Sequence, residues 1–353
     1  MGCSKRGMSR VRPGVQPELE VARFLTEVAH YPNTPEFMGA VEYAPNEGDP
    51  TTLAIAFAFV PNQGDAWNAV IEALDRGLED LMLAQVKESE EADRDQLQQL
   101  YVFPLDLASR LGERTAELHR AFAVKTADPA FAPEPIKTAD IRRWTDAVRK
   151  EAEQVFNDLR GSRASLPEAA QAQIDTLLAA RKAVTAQLKA IAKSSPSGSK
   201  TRIHGDYHLG QVLISKDDVI VIDFEGEPRR SLEERREKSS PLRDVAGMLR
   251  SLDYAASAAL ERLSARRGQL PEQAATMATA WRNRAAKEFL EAYCRTAPDI
   301  FGESPTAANL LRLFLLQKAF YEIGYERANR PAWVPIPLLG VLDLLDERGP
   351  RWP

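Results

Sequence analysis

The sequence predicts an α+β protein in which a small, partly β lobe precedes a large, mainly helical one. Three observations carry this expectation. Two apolar runs of strand length, 39–43 and 53–60, lie near the amino terminus on either side of the turn-rich P-N-E-G-D-P at 45–50. Helix-period segments then dominate 66–192 and 240–333. Between these helical stretches stands one more pair of short apolar runs, 212–214 and 219–222, joined by the polar Lys216-Asp217-Asp218 in the manner of a hairpin.

Composition bounds the reading. A chain of 353 residues is long enough for two lobes with cores of their own. Its 46 basic and 51 acidic residues give a net charge of −5, which points to no nucleic-acid partner. Two cysteines, Cys3 and Cys294, make no disulfide framework and fit a reducing cytoplasm. The apolar run at 53–60 is far too short to span a bilayer, so no membrane association is expected. The opening M-G-C-S-K-R carries Arg6 where N-myristoylation needs Ser or Thr, and it lacks the apolar core of a signal peptide.

Taken in order, residues 17–28 predict a helix, with Pro17 in the first turn, acids beside it, and Leu19, Ala22, Phe24 and Leu25 facing a core. Two strands follow, and then F-V-P-N-Q-G-D-A-W at 59–67. This stretch is either a capped strand-to-helix loop or a hinge whose exposed backbone groups read an adenine edge, with Phe59, Val60 and Gln63 as candidates. Residues 66–192 are mostly helical, with a break at 128–135. Leu111, Thr115, Leu118 and Phe122 share one helix face, and His119 reads as a structural hydrogen-bonding group because nothing near it has metal-ligand spacing. One or two long polar helices occupy 141–192, and a flexible S-S-P-S-G-S-K connection leads to residue 200.

The chemistry gathers at T-R-I-H-G-D-Y-H-L-G-Q-V-L-I, residues 201–214, and V-I-V-I-D-F-E-G-E-P, residues 219–228. Asp206 offers a carboxylate, Gln211 an amide five residues on, and Asp223 a second carboxylate at the end of an apolar run. A hairpin with two surface acids is the plain alternative. The spacing is nevertheless close to that of the protein kinase core, where H-R-D-x-x-x-x-N supplies a base and a metal-holding amide and D-F-G supplies the main Mg²⁺ ligand. On that pattern Asp206 accepts a hydroxyl proton, Gln211 and Asp223 hold Mg²⁺ with Glu225 assisting, ATP is the phosphoryl donor, and His204 belongs to the supporting frame.

Downstream, 228–240 is a strongly charged solvated loop. A helix from 240 to 252 turns Val245, Met248, Leu249 and Leu252 inward, and Asp244 in its first turn is either a helix cap or a brace for the catalytic loop. Two more helices are expected over 253–300. In 310–333, Lys318, Tyr321, Glu322 and Tyr325 fall at spacings of three and four. They form either an ordinary helix face with i,i+4 ion pairs or the aromatic and charged wall of a sugar pocket.

H-G-D-Y-H-L-G-Q-V-L, I-D-F-E-G-E-P and K-A-F-Y-E-I-G-Y-E-R-A-N-R-P-A-W resemble the bacterial maltokinases, relatives of the aminoglycoside phosphotransferases, and the similarity runs from about residue 12 to the carboxyl terminus. The resemblance implies a protein kinase-like two-lobed fold with a truncated N-terminal lobe, its remnant at 1–61 and a helical C-terminal lobe at 62–353. It implies ATP- and Mg²⁺-dependent phosphorylation of maltose to maltose 1-phosphate for α-glucan synthesis, with trehalose synthase as a physical partner. It makes Lys318, Tyr321, Glu322 and Tyr325 sugar contacts, with Trp333 a weaker one. It also implies an amino-terminal cap and first strands that this sequence lacks: Lys5 is the nearest lysine to the phosphate-binding position, and Glu18 or Glu20 is its glutamate partner. Two rival readings stand beside it, another small-molecule kinase of the aminoglycoside phosphotransferase group and a degenerate kinase that binds sugar without turnover.

Overall fold

The computed structural model describes residues 13–84 apart from 47 and 49, together with 92–301 and 305–346. The opening segment with Cys3, Lys5 and Arg6 lies outside the described residues.

Helix α1 (Pro17–Glu27) starts on proline with Glu18 and Glu20 in its first turn, and it buries Leu19, Val21, Ala22, Phe24 and Leu25. Its apolar face anchors the start of the chain; Phe24 stacks on Phe131 at 3.9 Å between ring centroids. Strands β1 (Phe37–Tyr43) and β2 (Thr51–Phe57) form an antiparallel hairpin with Ala40 opposite Ile55. The second strand stops at Phe57, three residues short of the apolar run, and Phe59 is 81 % exposed. Met38, Val41, Tyr43 and Leu53 are exposed on the same two strands.

The helical part opens with α2 (Ala66–Ala84) and α3 (Ala92–Phe122). Leu111, Thr115, Leu118 and Phe122 are all fully buried, as their period predicts. A short strand β3 (Glu134–Pro135) precedes α4 (Thr138–Ser162), α5 (Glu168–Ala179) and α6 (Arg181–Ile191), so the polar stretch read as one or two helices is three. The connection at 194–200 ends in β4 (Ser199–Lys200), which pairs with β3. The hairpin after residue 211 is β5 (Val212–Ser215) and β6 (Asp218–Val221), in register Val212 to Val221.

A capped turn of helix, α7 (Leu232–Arg236), interrupts the charged loop; Ser231 and Glu234 bond each other's backbone N–H groups. Next come α8 (Leu242–Arg267), α9 (Glu272–Thr296), α10 (Pro298–Phe301), α11 (Pro305–Asn329) and α12 (Pro335–Leu345). The expectation of two separate helices after 252 is corrected. The first is the continuation of α8, because no breaker intervenes before Gly268, whose φ of +82° ends it.

Helices α3, α8, α9 and α11 make the core of the large lobe. Glycine decides one of its crossings: a Cβ on Gly112 of α3 would lie 2.2 Å from the carbonyl oxygen of Phe289 on α9. The small β lobe is tied to this body by Asn33, whose side-chain amide donates to the Val219 carbonyl at 2.9 Å and whose own carbonyl accepts from Val221 N–H at 2.8 Å. The architecture is α+β and two-lobed, with the β5–β6 hairpin seated on the helical part. No described helix is long and apolar enough to cross a membrane.

Candidate active site

Residues 201–208 form a loop that leads into a 3₁₀ turn at Leu209–Gln211, and its shape is held from several sides. Gly205 turns the chain at φ +84°, and a Cβ there would touch the Cα of Gly226 at 3.5 Å, so two positive-φ glycines bring the Asp206 loop against the loop after Asp223. His204 is buried. Its Nε2–H donates to the Ile222 carbonyl at 3.0 Å and its Nδ1 accepts from the Asp206 N–H at 3.4 Å. One imidazole thereby links the residue before Asp223 to the Asp206 backbone. Phe224, also buried, packs its ring 4.9 Å from that imidazole and 6.3 Å from Phe122.

Asp223 itself has φ +68°, a left-handed backbone at a non-glycine residue. Gln211 closes a 3₁₀ turn, and its carbonyl accepts from Ile222 N–H at 3.0 Å, which fixes the amide-bearing residue beside the strand that leads to Asp223.

Asp244 is fully buried on the first turn of α8, and its carboxylate accepts from His204 N–H at 2.7 Å and from Gly205 N–H at 2.9 Å. His119 Nε2 stands 3.3 Å from the same carboxylate while its Nδ1 meets the Tyr293 hydroxyl at 2.8 Å. Burial opposes the charge on Asp244, but the His119 hydrogen bond, the neighbouring imidazoles and the Gly205 amide outweigh it and hold its pKa below the ordinary carboxylate value. These hydrogen bonds run from the Asp244 carboxylate to the loop before Asp206. Gly247, one turn on, lets α8 approach: a Cβ there would sit 2.5 Å from the Tyr207 carbonyl oxygen.

Asp206 opens into a cleft whose wall includes Lys318, Tyr321, Glu227, Glu151 and Arg243. Lys318 Nζ lies 3.3 Å from Asp206 Oδ1. Burial raises the Asp206 pKa, but Lys318 first, then His208 and His204, pull it below the usual carboxylate range. Burial likewise lowers the Lys318 pKa, and Asp206, Glu322 and Glu227 raise it above the usual lysine value. Tyr321 donates its hydroxyl to Glu227 at 3.0 Å. Spacing along the chain did not single out Glu227, Glu151, Arg243 or Gln317, because each comes from a different segment.

Five expected residues are placed otherwise. Glu322 is buried, and its carboxylate takes Arg250 Nε at 2.9 Å and Nη2 at 2.8 Å, so it braces α11 against α8 and does not line the cleft. Tyr325 stacks on Tyr321 at 6.5 Å and is covered by the Arg229 guanidinium at 5.0 Å; it is not in the cleft wall. Trp333 lies farther along, under Arg330 at 4.5 Å. Gln63 belongs to the hairpin contact: its N–H donates to the Ile214 carbonyl at 2.8 Å and its Oε1 accepts from Lys216 N–H at 3.1 Å, which removes that N–H from an adenine edge. Phe59 and Val60 remain in the irregular segment beyond β2. Glu20, a candidate partner for a phosphate-binding lysine, instead takes Arg202 at 3.0 Å and Arg236 at 2.7 Å, and joins α1 to α7.

The donors fit magnesium. Asp223 and Gln211 supply hard carboxylate and amide oxygens, with Glu225 two residues on. Among the described residues no three His, Cys, Asp or Glu form a ready-made metal cage. These side chains would therefore hold the ion together with phosphate oxygens, as Mg²⁺ sites usually do.

Residues 93–286 match the model of the phosphotransferase enzyme family known as APH. A glucosamine kinase of Streptacidiphilus jiangxiensis is 28% identical over 85% of the chain and 59% of its own length. One from Mycolicibacterium smegmatis is 30% identical over 69% of the chain and 54% of its own length. The chain thus spans little more than half the length of these relatives. Among solved structures, a glucosamine kinase in complex with glucosamine, ADP and inorganic phosphate superposes with a TM-score of 0.71 at 25% identity, over 95% of this chain and 69% of that one. A second crystal form of a glucosamine kinase gives a TM-score of 0.71 at 24% identity, over 94% of this chain and 70% of that one, and has the same kinase-like fold.

Proposed function

This chain belongs to the phosphotransferase enzyme family, and we propose that it is a sugar kinase moving the γ-phosphoryl group of ATP to a hydroxyl of a small amino sugar. The observation that carries the proposal is Asp206 facing a cleft, with its charge held by Lys318 and an aromatic ring, Tyr321, in the wall. The relatives named for glucosamine, and the solved complex with glucosamine and ADP, support the amino sugar and the nucleotide.

In this reading the sugar hydroxyl oxygen forms a bond to the γ-phosphorus while the bond to the β–γ bridging oxygen breaks and ADP leaves. The hydroxyl proton passes to Asp206, which Lys318 keeps ionised and the His204–Asp244 frame keeps in place. Asp223 and Gln211 would hold Mg²⁺, which neutralises charge on the phosphate oxygens. Phe59 and Val60 mark the adenine side. The lobes divide at 61/62, and the ATP requirement goes with a cytoplasmic location.

Maltose is the second reading, favoured by the similarity of 318–333 to maltokinases; association with trehalose synthase belongs to it alone. Two of the four residues named for maltose, Glu322 and Tyr325, are engaged by Arg250 and Arg229. Phosphorus NMR on the full chain with ATP and Mg²⁺, given glucosamine in one arm and maltose in the other, separates the readings. A sugar phosphate signal with glucosamine, absent in Asp206→Asn, is the expected result. A signal with maltose alone reverses the order, and no signal with either sugar overturns the kinase.

A further inference from the structure

We propose that Glu151 selects a cationic substrate by pairing its carboxylate with the protonated amine of the sugar held beside Asp206. The inference rests on the sugar kinase reading above and names the residue that would recognise the amine.

Glu151 lies in the middle of α4, in a polar run that reads from the sequence as a solvated face. The fold turns it into the same cleft as Asp206, Lys318 and Tyr321, where it is half-buried. Most of the other charged groups of that wall are engaged, the exception being Arg230, whose guanidinium faces Glu151 without bonding it. Lys318 pairs with Asp206, Glu227 accepts from Tyr321, and Arg243 Nη2 donates to Gln317 Oε1 at 2.9 Å. Glu151 makes no hydrogen bond or ion pair with any described residue.

Burial pushes the Glu151 carboxyl up to about 7, with Arg230, Arg243 and Lys318 drawing it back and Glu227 adding to the rise. The four charged groups facing it thus come from the loop after Asp223, from α8 and from α11, and none of them bonds it. Burying a carboxylate without a partner is costly, and an incoming cation is the ligand that relieves this cost. A neutral hydroxyl at the same place only replaces a hydrogen bond that water already made. Glu151 should therefore matter for the amine and not for the rest of the ring.

Calorimetry on the full chain with glucosamine and with glucose, which differ at one amine, tests this, with phosphoryl transfer to each measured in parallel. Wild type is expected to bind glucosamine the tighter, by about ten- to a hundredfold. Glu151→Gln should erase that preference by weakening glucosamine far more than glucose, and Glu151→Asp should restore part of it. Equal losses for both sugars, or an intact preference in Glu151→Gln, overturn the role of Glu151 while transfer by wild type leaves the kinase standing. Binding without transfer in wild type overturns the kinase reading and leaves the Glu151 result to be judged by binding. No binding of either sugar overturns both.

Discussion

Lys318 Nζ on α11 lies 3.3 Å from Asp206 Oδ1, across 112 residues of sequence. The ammonium keeps the carboxylate ionised although burial opposes the charge. It also fixes the carboxylate relative to α11, the helix that supplies Tyr321 to the same cleft. Charge and position are set by one contact.

Removing that contact has a readable consequence. In Lys318→Met the Asp206 pKa rises, so the acid limb of the pH profile of kcat/KM moves to higher pH. Activity at neutral pH falls by about a hundredfold, the scale of a compromised general base. Steady-state rates between pH 5 and 9 check this, and an unmoved acid limb would separate Lys318 from Asp206.

Asp244 carries a prediction about stability. Asp244→Ala leaves the His204 and Gly205 N–H groups and His119 facing an empty buried site, and should cost about 3–5 kcal/mol. The folded pKa of Asp244 is depressed, so its contribution is present above the unfolded carboxylate pKa and is lost as pH falls through the lower folded value. Urea melts of wild type and variant should therefore differ at pH 7 and converge at the acid end of the native range.

Glu151 predicts the opposite slope. Its folded pKa is raised to about 7, so the native state holds a proton that the unfolded chain has released, and stability falls as pH rises from the ordinary glutamate pKa to about 7. Glu151→Gln should melt at a higher temperature than wild type at pH 8 and at about the same temperature at pH 4. Added glucosamine should close the gap at pH 8 by stabilising wild type selectively.

Gly247 offers a test of packing. Gly247→Ala places a methyl 2.5 Å from the Tyr207 carbonyl, so the loop beside Asp206 must move. Overpacking of this kind costs about 1–3 kcal/mol, despite the roughly 1 kcal/mol that alanine gains in a helix. Phosphoryl transfer should fall about tenfold or more through misplacement of Asp206. Gly161→Ala on α4, where a Cβ meets nothing within 4 Å, is the control and should be neutral or slightly stabilising. Urea melts and rates on both variants decide it.

Elements with strong local periodicity are legible in the sequence. The Pro17 start of α1, the four inward residues of α3 and the β5–β6 hairpin with its polar turn all follow from chain-local rules. The loop spacing from His204 to Asp223 also carried information, because residues a few positions apart on a tight loop and hairpin cannot separate far in space. Where the sequence reading went astray the cause was tertiary. Glu322 has helical spacing to Lys318 and Tyr321, but Arg250 on another helix claims it. Gln63 lies where a hinge should be, but the backbone of β5 and the turn after it take its donor and its acceptor. Glu20 has the right residue type for a lysine partner, yet two arginines occupy it.

The sequence by itself determined the α+β class and the main helices and hairpins, and it set out the Asp206, Gln211 and Asp223 spacing on which the proposed reaction type rests, because all of these depend on neighbours along the chain. The tertiary structure alone decided which charges meet. It set Lys318 against Asp206, withdrew Glu322 into a buried pair, and turned Glu151 out of a polar helix into the cleft. The physical reason is that periodicity specifies which face of a helix is buried but not what lies opposite it; ion pairs and pocket walls are made between elements, and their partners are far apart in sequence.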